Sequence, residues 1–191
     1  EVRGKIVPNL EFRMRTRLHK ADGIRTLDNS TSNLDHANIT YKFGEKKNWA
    51  ITVGKQNNMM GSWEFDKNPT YEYQYSNVVG GYNNLFGMGA RLAYSPNANN
   101  TFTAQAMNTS NDAFATITNG YDLKGNQRAR TPLLYQLVWQ GNFFNKAWQT
   151  WYSVGTSEFA RNKQNFQVAL GNQVTIGKFQ AYLDLLTTNL A

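Results

Sequence analysis

The sequence predicts an all-β fold, an antiparallel transmembrane barrel of which this chain forms a contiguous part of about nine strands. Three observations carry that expectation. Apolar and polar residues alternate with a period of two along most of the chain, short and long connections alternate between these runs, and aromatic residues recur beside the short connections.

The first run, residues 5–18, puts Ile6, Leu10, Phe12, Met14 and Leu18 on one face and Lys5, Glu11, Arg13, Arg15 and Arg17 on the other. A period of two marks extended chain, whose side chains point alternately to opposite sides. Read as one strand, it reaches the roughly 9 to 11 tilted residues that cross a bilayer. The next runs repeat the pattern. Ala37, Ile39, Tyr41 and Phe43 oppose His36, Asn38, Thr40 and Lys42; Trp49, Ile51 and Val53 oppose Ala50, Thr52 and Gly54. Phe86, Met88, Ala90, Leu92 and Tyr94 oppose Gly87, Gly89, Arg91 and Ala93. Further runs lie at 102–106, 133–139, 148–154, 166–176 and 179–188, and no stretch reads convincingly as a helix.

Short polar links are expected at 44–48, 95–100, 141–146 and 177–178, and longer loops at 19–33, 57–85, 109–131 and 156–163. Short turns on one rim and long loops on the other are the habit of outer-membrane barrels. A soluble up-and-down barrel can alternate in the same way. The aromatic residues separate the two better. Trp49, Tyr94, Trp139 and Trp148 each flank a short link, as a girdle at the headgroup level of a membrane requires. The ninth run ends on the long-loop side, so its partner strand is expected outside this chain, in a larger barrel.

Composition fits that architecture. The hydrophobic fraction of 40% and mean hydropathy of -0.60 exclude a helical membrane protein, but a barrel strand spends half its residues on water. The 191 residues form one expected domain, 1–191, and contain no cysteine, which excludes a disulfide framework and thiolate metal sites. The formal charge of +7 expresses a preference for anions. No recognisable nucleic-acid-binding motif accompanies it, so nucleic acid is not an expected partner.

The candidate functional residues follow from parity. Lys5, Arg13, Arg15, Arg17, His36, Lys42 and Arg91 fall on the polar face, where a barrel has its lumen. A row of guanidinium groups there can bind anions and pass them from site to site; the plain alternative is a solvated wall. The loop at 61–75 concentrates Trp63, Glu64, Asp66 and Glu72 among further aromatic residues. It is expected either to fold into the barrel and constrict it, its acids pairing with wall arginines, or simply to pack on itself.

Val53-Gly54-Lys55-Gln56 at a strand end, then Gly61-Ser62-Trp63-Glu64-Phe65-Asp66, Asn68-Pro69 and Tyr73-Gln74-Tyr75-Ser76, resemble the bacterial outer-membrane porins of the phosphate-selective O and P family. The resemblance implies a barrel of about sixteen strands, often trimeric, with a basic lumen. It implies a homotrimer in the bacterial outer membrane, with membrane lipid and small anionic solutes as partners. The family's phosphate ladder is not assignable residue by residue; only the inward parity of Arg13, Arg15 and Arg17 matches it.

Enzymatic readings find little. His19 and His36 are the only histidines and sit in no metal-binding spacing, so neither a metal site nor a cofactor is expected. Ser32, Asp35 and His36 are neighbours in sequence, but adjacent strand residues point oppositely, which defeats a catalytic triad. The expected function is therefore passive diffusion of small hydrophilic, anionic solutes, phosphate among them, through a water-filled pore. A soluble antiparallel barrel or sandwich serving as a ligand-binding or surface-interaction module is the alternative.

Overall fold

In the computed structural model the described residues are 1–16, 34–66, 85–108, 130, 131 and 133–190, without the side chains of Phe65, Asp66, Phe159 and Leu190. Ten strands form one antiparallel sheet, each hydrogen-bonded to its neighbours in sequence order. They are β1 (Val2–Val7), β2 (Leu10–Thr16), β3 (Leu34–Phe43), β4 (Trp49–Asn57), β5 (Phe86–Asn97), β6 (Asn100–Asn108), β7 (Leu133–Phe143), β8 (Trp148–Ala160), β9 (Lys163–Ile176) and β10 (Phe179–Leu190). The sheet is open, with β1 and β10 at its edges. A single helical turn, α1 (Trp63–Asp66), is the one helical element among the described residues.

Two expectations are corrected. Residues 5–18 do not form one strand: β1 and β2 are a hairpin turning at Pro8 and Asn9. Proline suits the turn because it fixes φ and has no amide to lose. The register explains why the hairpin is hidden. Arg3 faces Arg13 and Lys5 faces Glu11, but Val7 faces Leu10, so a bulge between Lys5 and Val7 adds one residue. A two-residue turn alone would shift the alternation by one position; the bulge shifts it back. Arg3 and Lys5 thus share the polar face with Glu11 and Arg13, and the count rises to ten.

The second correction concerns residues 156–163, expected as a long loop. Strand β8 runs on to Ala160 and β9 starts at Lys163, leaving a turn at Arg161 and Asn162. Asn162 takes a left-handed φ of 61°, a conformation that asparagine tolerates, and its amide donates to Glu158 Oε1 at 3.0 Å.

The faces of the sheet are inverted relative to a water-soluble protein. On one face Val53, Phe166 and Leu137 are 54%, 51% and 62% exposed. On the other, Thr52, Gln167 and Gln136 are 2%, 3% and 2% exposed. Soluble sheets bury the aliphatic side and leave glutamines in water. Register rows show that this is a property of the whole sheet. Phe12, Ile39, Val53, Ala90, Ala106, Tyr135, Thr156 and Phe166 are successive cross-strand partners on the apolar face. Glu11, Thr40, Thr52, Arg91, Gln105, Gln136, Gly155 and Gln167 are the matching row on the polar face.

Among the described residues, the chain leaving β4 covers the polar face. Residues 58–64 run across it as a strap, and Met60 packs on Ala169 of β9 with Leu85 and Leu186 alongside. That small cluster is the nearest thing to a hydrophobic core in the sheet's interior.

Candidate functional site

The basic residues gather at the β1–β5 end of the polar face. There a cavity of about 440 Å³ is bounded by Arg3, Lys5, Glu11, Arg13, Asn38, Thr40 and Arg91. The hairpin is responsible: by facing Arg3 to Arg13 and Lys5 to Glu11, it sets the two cations of β1 beside those of β2. Glu1 accepts from Arg3 and, at 2.8 Å, from Arg13 Nε. Lys42 Nζ donates to Glu11 Oε1 at 2.8 Å. Five cations (Arg3, Lys5, Arg13, Lys42 and Arg91) therefore stand around two carboxylates, Glu1 and Glu11, leaving an excess of three positive charges.

Arg91 reaches this cavity from β5 and also touches the strap, its Nη1 lying 3.3 Å from Met59 Sδ. Thioether sulfur is a weak acceptor, so most of the guanidinium's donor capacity stays available to an anion. Arg15 is placed apart from the cavity, its Nε 3.4 Å from Asp35 Oδ2. His36, on the same face opposite Arg15, is 3% exposed and packs edge-on against Phe86 with ring centroids 5.2 Å apart. It is a packed side chain in this arrangement. Arg17 lies outside the described residues.

The strap has definite anchors. The Met59 amide donates to Gln105 Oε1 at 2.9 Å, and the Gly61 amide donates to Ser153 Oγ at 2.8 Å. Ser62 Oγ and the Glu64 amide both donate to Asp184 Oδ2, at 2.8 and 2.9 Å. Trp63 stands edge-on to Trp151 of β8 at 5.8 Å. In the two bonds to Asp184 a wall carboxylate holds the loop. The Asp66 side chain and Glu72 lie outside the described residues.

The four girdle residues sit on the apolar face near the short-turn rim. Phe43, Trp49, Tyr94, Phe102, Trp139 and Tyr152 are successive cross-strand partners. Trp49 stacks on Tyr94 at 4.3 Å and on Phe43 at 6.2 Å, and Trp139 stacks on Phe102 at 6.5 Å. Trp148, on β8 with Tyr152 but nearer the turn, joins the band with its ring 4.9 Å from that of Phe143.

Sequence reading missed Arg3, Gln105, Ser153 and Asp184. The polar parity of Arg3 was available, but it lay outside the strand as drawn. Asp184 alternates with Leu183 and Leu185, and an acid on the polar parity of a strand was a usable signal. Gln105 and Ser153 matter only because the strap crosses them, which no local pattern encodes.

Among the described residues no group of three or more His, Cys, Asp or Glu could hold a metal ion. No helix among them is long and apolar enough to cross a membrane, which says nothing of a strand-built wall. No curated protein and no solved structure matches the chain significantly. A family model does: the one described as phosphate-selective porin O and P matches residues 1–190. An inverted sheet, a basic cavity on its polar face and a match over the length of the chain agree with one another, and the chain belongs to the phosphate-selective porin O and P family, a family of channels rather than enzymes.

Proposed function

We propose that this chain forms wall of a bacterial outer-membrane pore through which small hydrophilic anions diffuse passively. The observation that carries the reading is the inversion of the sheet: apolar side chains are exposed on one face while a basic cavity of about 440 Å³ opens on the other. The apolar face meets lipid, and the aromatic band through Trp49, Tyr94, Trp139 and Trp148 lies at the headgroup level, where rings with an apolar body and a polar tip are favoured. The polar face meets water where the basic cavity opens.

In that setting conduction needs no covalent step. An anion entering the lumen exchanges part of its hydration shell for Arg3, Arg13 and Arg91, each charged at any physiological pH. Binding that is shallow and shared among several groups lets the ion leave as readily as it enters. Lys5 and Lys42 add to the field, while Arg15 lines the wall towards the long-loop rim. The 58–64 strap, which carries Trp63 and Glu64, reduces the free width beside the cavity and acts as the constriction. Phosphate is among the solutes this basic lining suits, and a homotrimer is the assembly that the family suggests.

The test is the reversal potential of the full-length protein in a planar bilayer under a salt gradient, with chloride and then phosphate as the anion. Anion preference is the expected result. A cation preference in both salts would overturn the reading.

A further inference from the structure

We propose that Asp184 is a positioning residue that latches the 58–64 strap across the lumen and so sets the effective width of the pore; the proposal rests on the constriction reading above. Asp184 stands on β10, at the opposite end of the sheet from the basic cavity. Its Oδ2 accepts from both Ser62 Oγ and the Glu64 amide, at 2.8 and 2.9 Å. Hydrogen bonds to a carboxylate are roughly twice as strong as those between neutral groups. This anchor is therefore firmer than the strap's bonds to Gln105 and Ser153, which offer neutral oxygens.

The wall is shaped to receive the strap at this point. A Cβ on Gly61 would lie 2.6 Å from Trp151 O and 2.7 Å from Ser153 N, so only glycine lets the strap's backbone rest on β8. A Cβ on Gly171 would lie 3.0 Å from Asp184 Oδ1 and 3.1 Å from Gly61 O. The missing side chain at Gly171, Asp184's partner across β9 and β10, leaves the seat open beside the carboxylate. Asp184 Oδ1 is buried without a hydrogen-bond partner among the described residues, so the group bears a desolvation cost and works against an anion-selective lumen. Holding the strap is the role that accounts for a carboxylate there. At its other end the strap touches Arg91 through Met59, so the latch also fixes how much of that guanidinium faces the cavity.

Single-channel recording of the full-length protein tests this with four variants. Asp184→Ala removes both bonds, and Ser62→Ala removes one without altering any charge. Each is expected to raise the share of time in a noisier, higher-conductance state by about tenfold or more, equivalent to about 1.4 kcal/mol, near the lower end for a hydrogen bond to a charged group. Ser62→Ala should leave the reversal potential unchanged. Asp184→Asn should restore the quiet wild-type level, because an amide oxygen can accept the same two bonds, while shifting the reversal potential further towards anions. Replacement of residues 59–64 by glycine and serine separates the latch from the constriction itself. If that replacement raises conductance but Asp184→Ala and Ser62→Ala match wild type, the latch is refuted and the constriction stands. If the replacement also leaves conductance unchanged, the constriction is refuted and the latch with it.

Discussion

Converting Arg3, Arg13 and Arg91 together to glutamine should abolish most of the pore's charge preference, by an amount the site's charge balance allows one to calculate. The cavity and the ion-pair partners of its lining residues carry five cations against two carboxylates, so the triple variant takes the net charge from an excess of three to zero. A monovalent ion about 8 Å from each charge interacts with it by about 0.5 kcal/mol in water. Screening at about one Debye length in physiological salt reduces this to about 0.2 kcal/mol. Three uncompensated charges then give about 0.6 kcal/mol, which is about a 2.6-fold enrichment of anions and an equal depletion of cations. The permeability ratio should thus be about sevenfold in wild type and close to one in the variant, and lower effective dielectric near the wall would enlarge the difference. Reversal potentials in planar bilayers measure the ratio directly. The same measurement on wild type at about 1 M salt should show the preference largely lost, because the Debye length shrinks to about 3 Å. A triple variant with wild-type selectivity would refute the assignment of this cavity to the ion path.

Substitutions on the two faces should differ in the membrane. Leu137→Arg puts a charge on the apolar face, where the native side chain is 62% exposed, and should cost about 2–4 kcal/mol if the site lies near the bilayer midplane, read as the urea midpoint for folding into vesicles. Gly54→Ala should be destabilising by about 1–3 kcal/mol in the same assay, because Gly54 has φ +119° and a Cβ there would lie 2.3 Å from Ala37 O.

How far the sequence reveals this molecule depends on which interactions are local. The alternation in β3, β5 and β7 could be read directly, because side-chain direction in a strand depends only on parity. The first hairpin could not, since the bulge between Lys5 and Val7 restores the phase that its turn at Pro8 and Asn9 would have shifted. The turn at Arg161 and Asn162 was hidden by the polar ends of β8 and β9, which read as loop although they pair as far as Ala160 and Lys163. Parity likewise put Arg13 and Arg91 on one face, but their meeting in one cavity depends on the β2–β5 register, set across connections of 17 and 28 residues. Asp184 is 122 residues from Ser62, and only the path of the strap brings them together.

The central claim is that the sheet is inverted, with lipid on its apolar face and water on its polar one. The chain itself has no cysteine, so with any cysteine elsewhere in the full-length protein replaced by serine, a nitroxide attached to single cysteines at positions 39, 40, 41 and 42 of β3 reports each site alone in bilayers. Collision rates with oxygen, which partitions into lipid, and with a water-soluble nickel chelate then give the environment at each position. The account predicts strict alternation, with oxygen dominating at Ile39 and Tyr41 and the chelate at Thr40 and Lys42. Alternation in the opposite phase, or uniform access to the chelate, would contradict it.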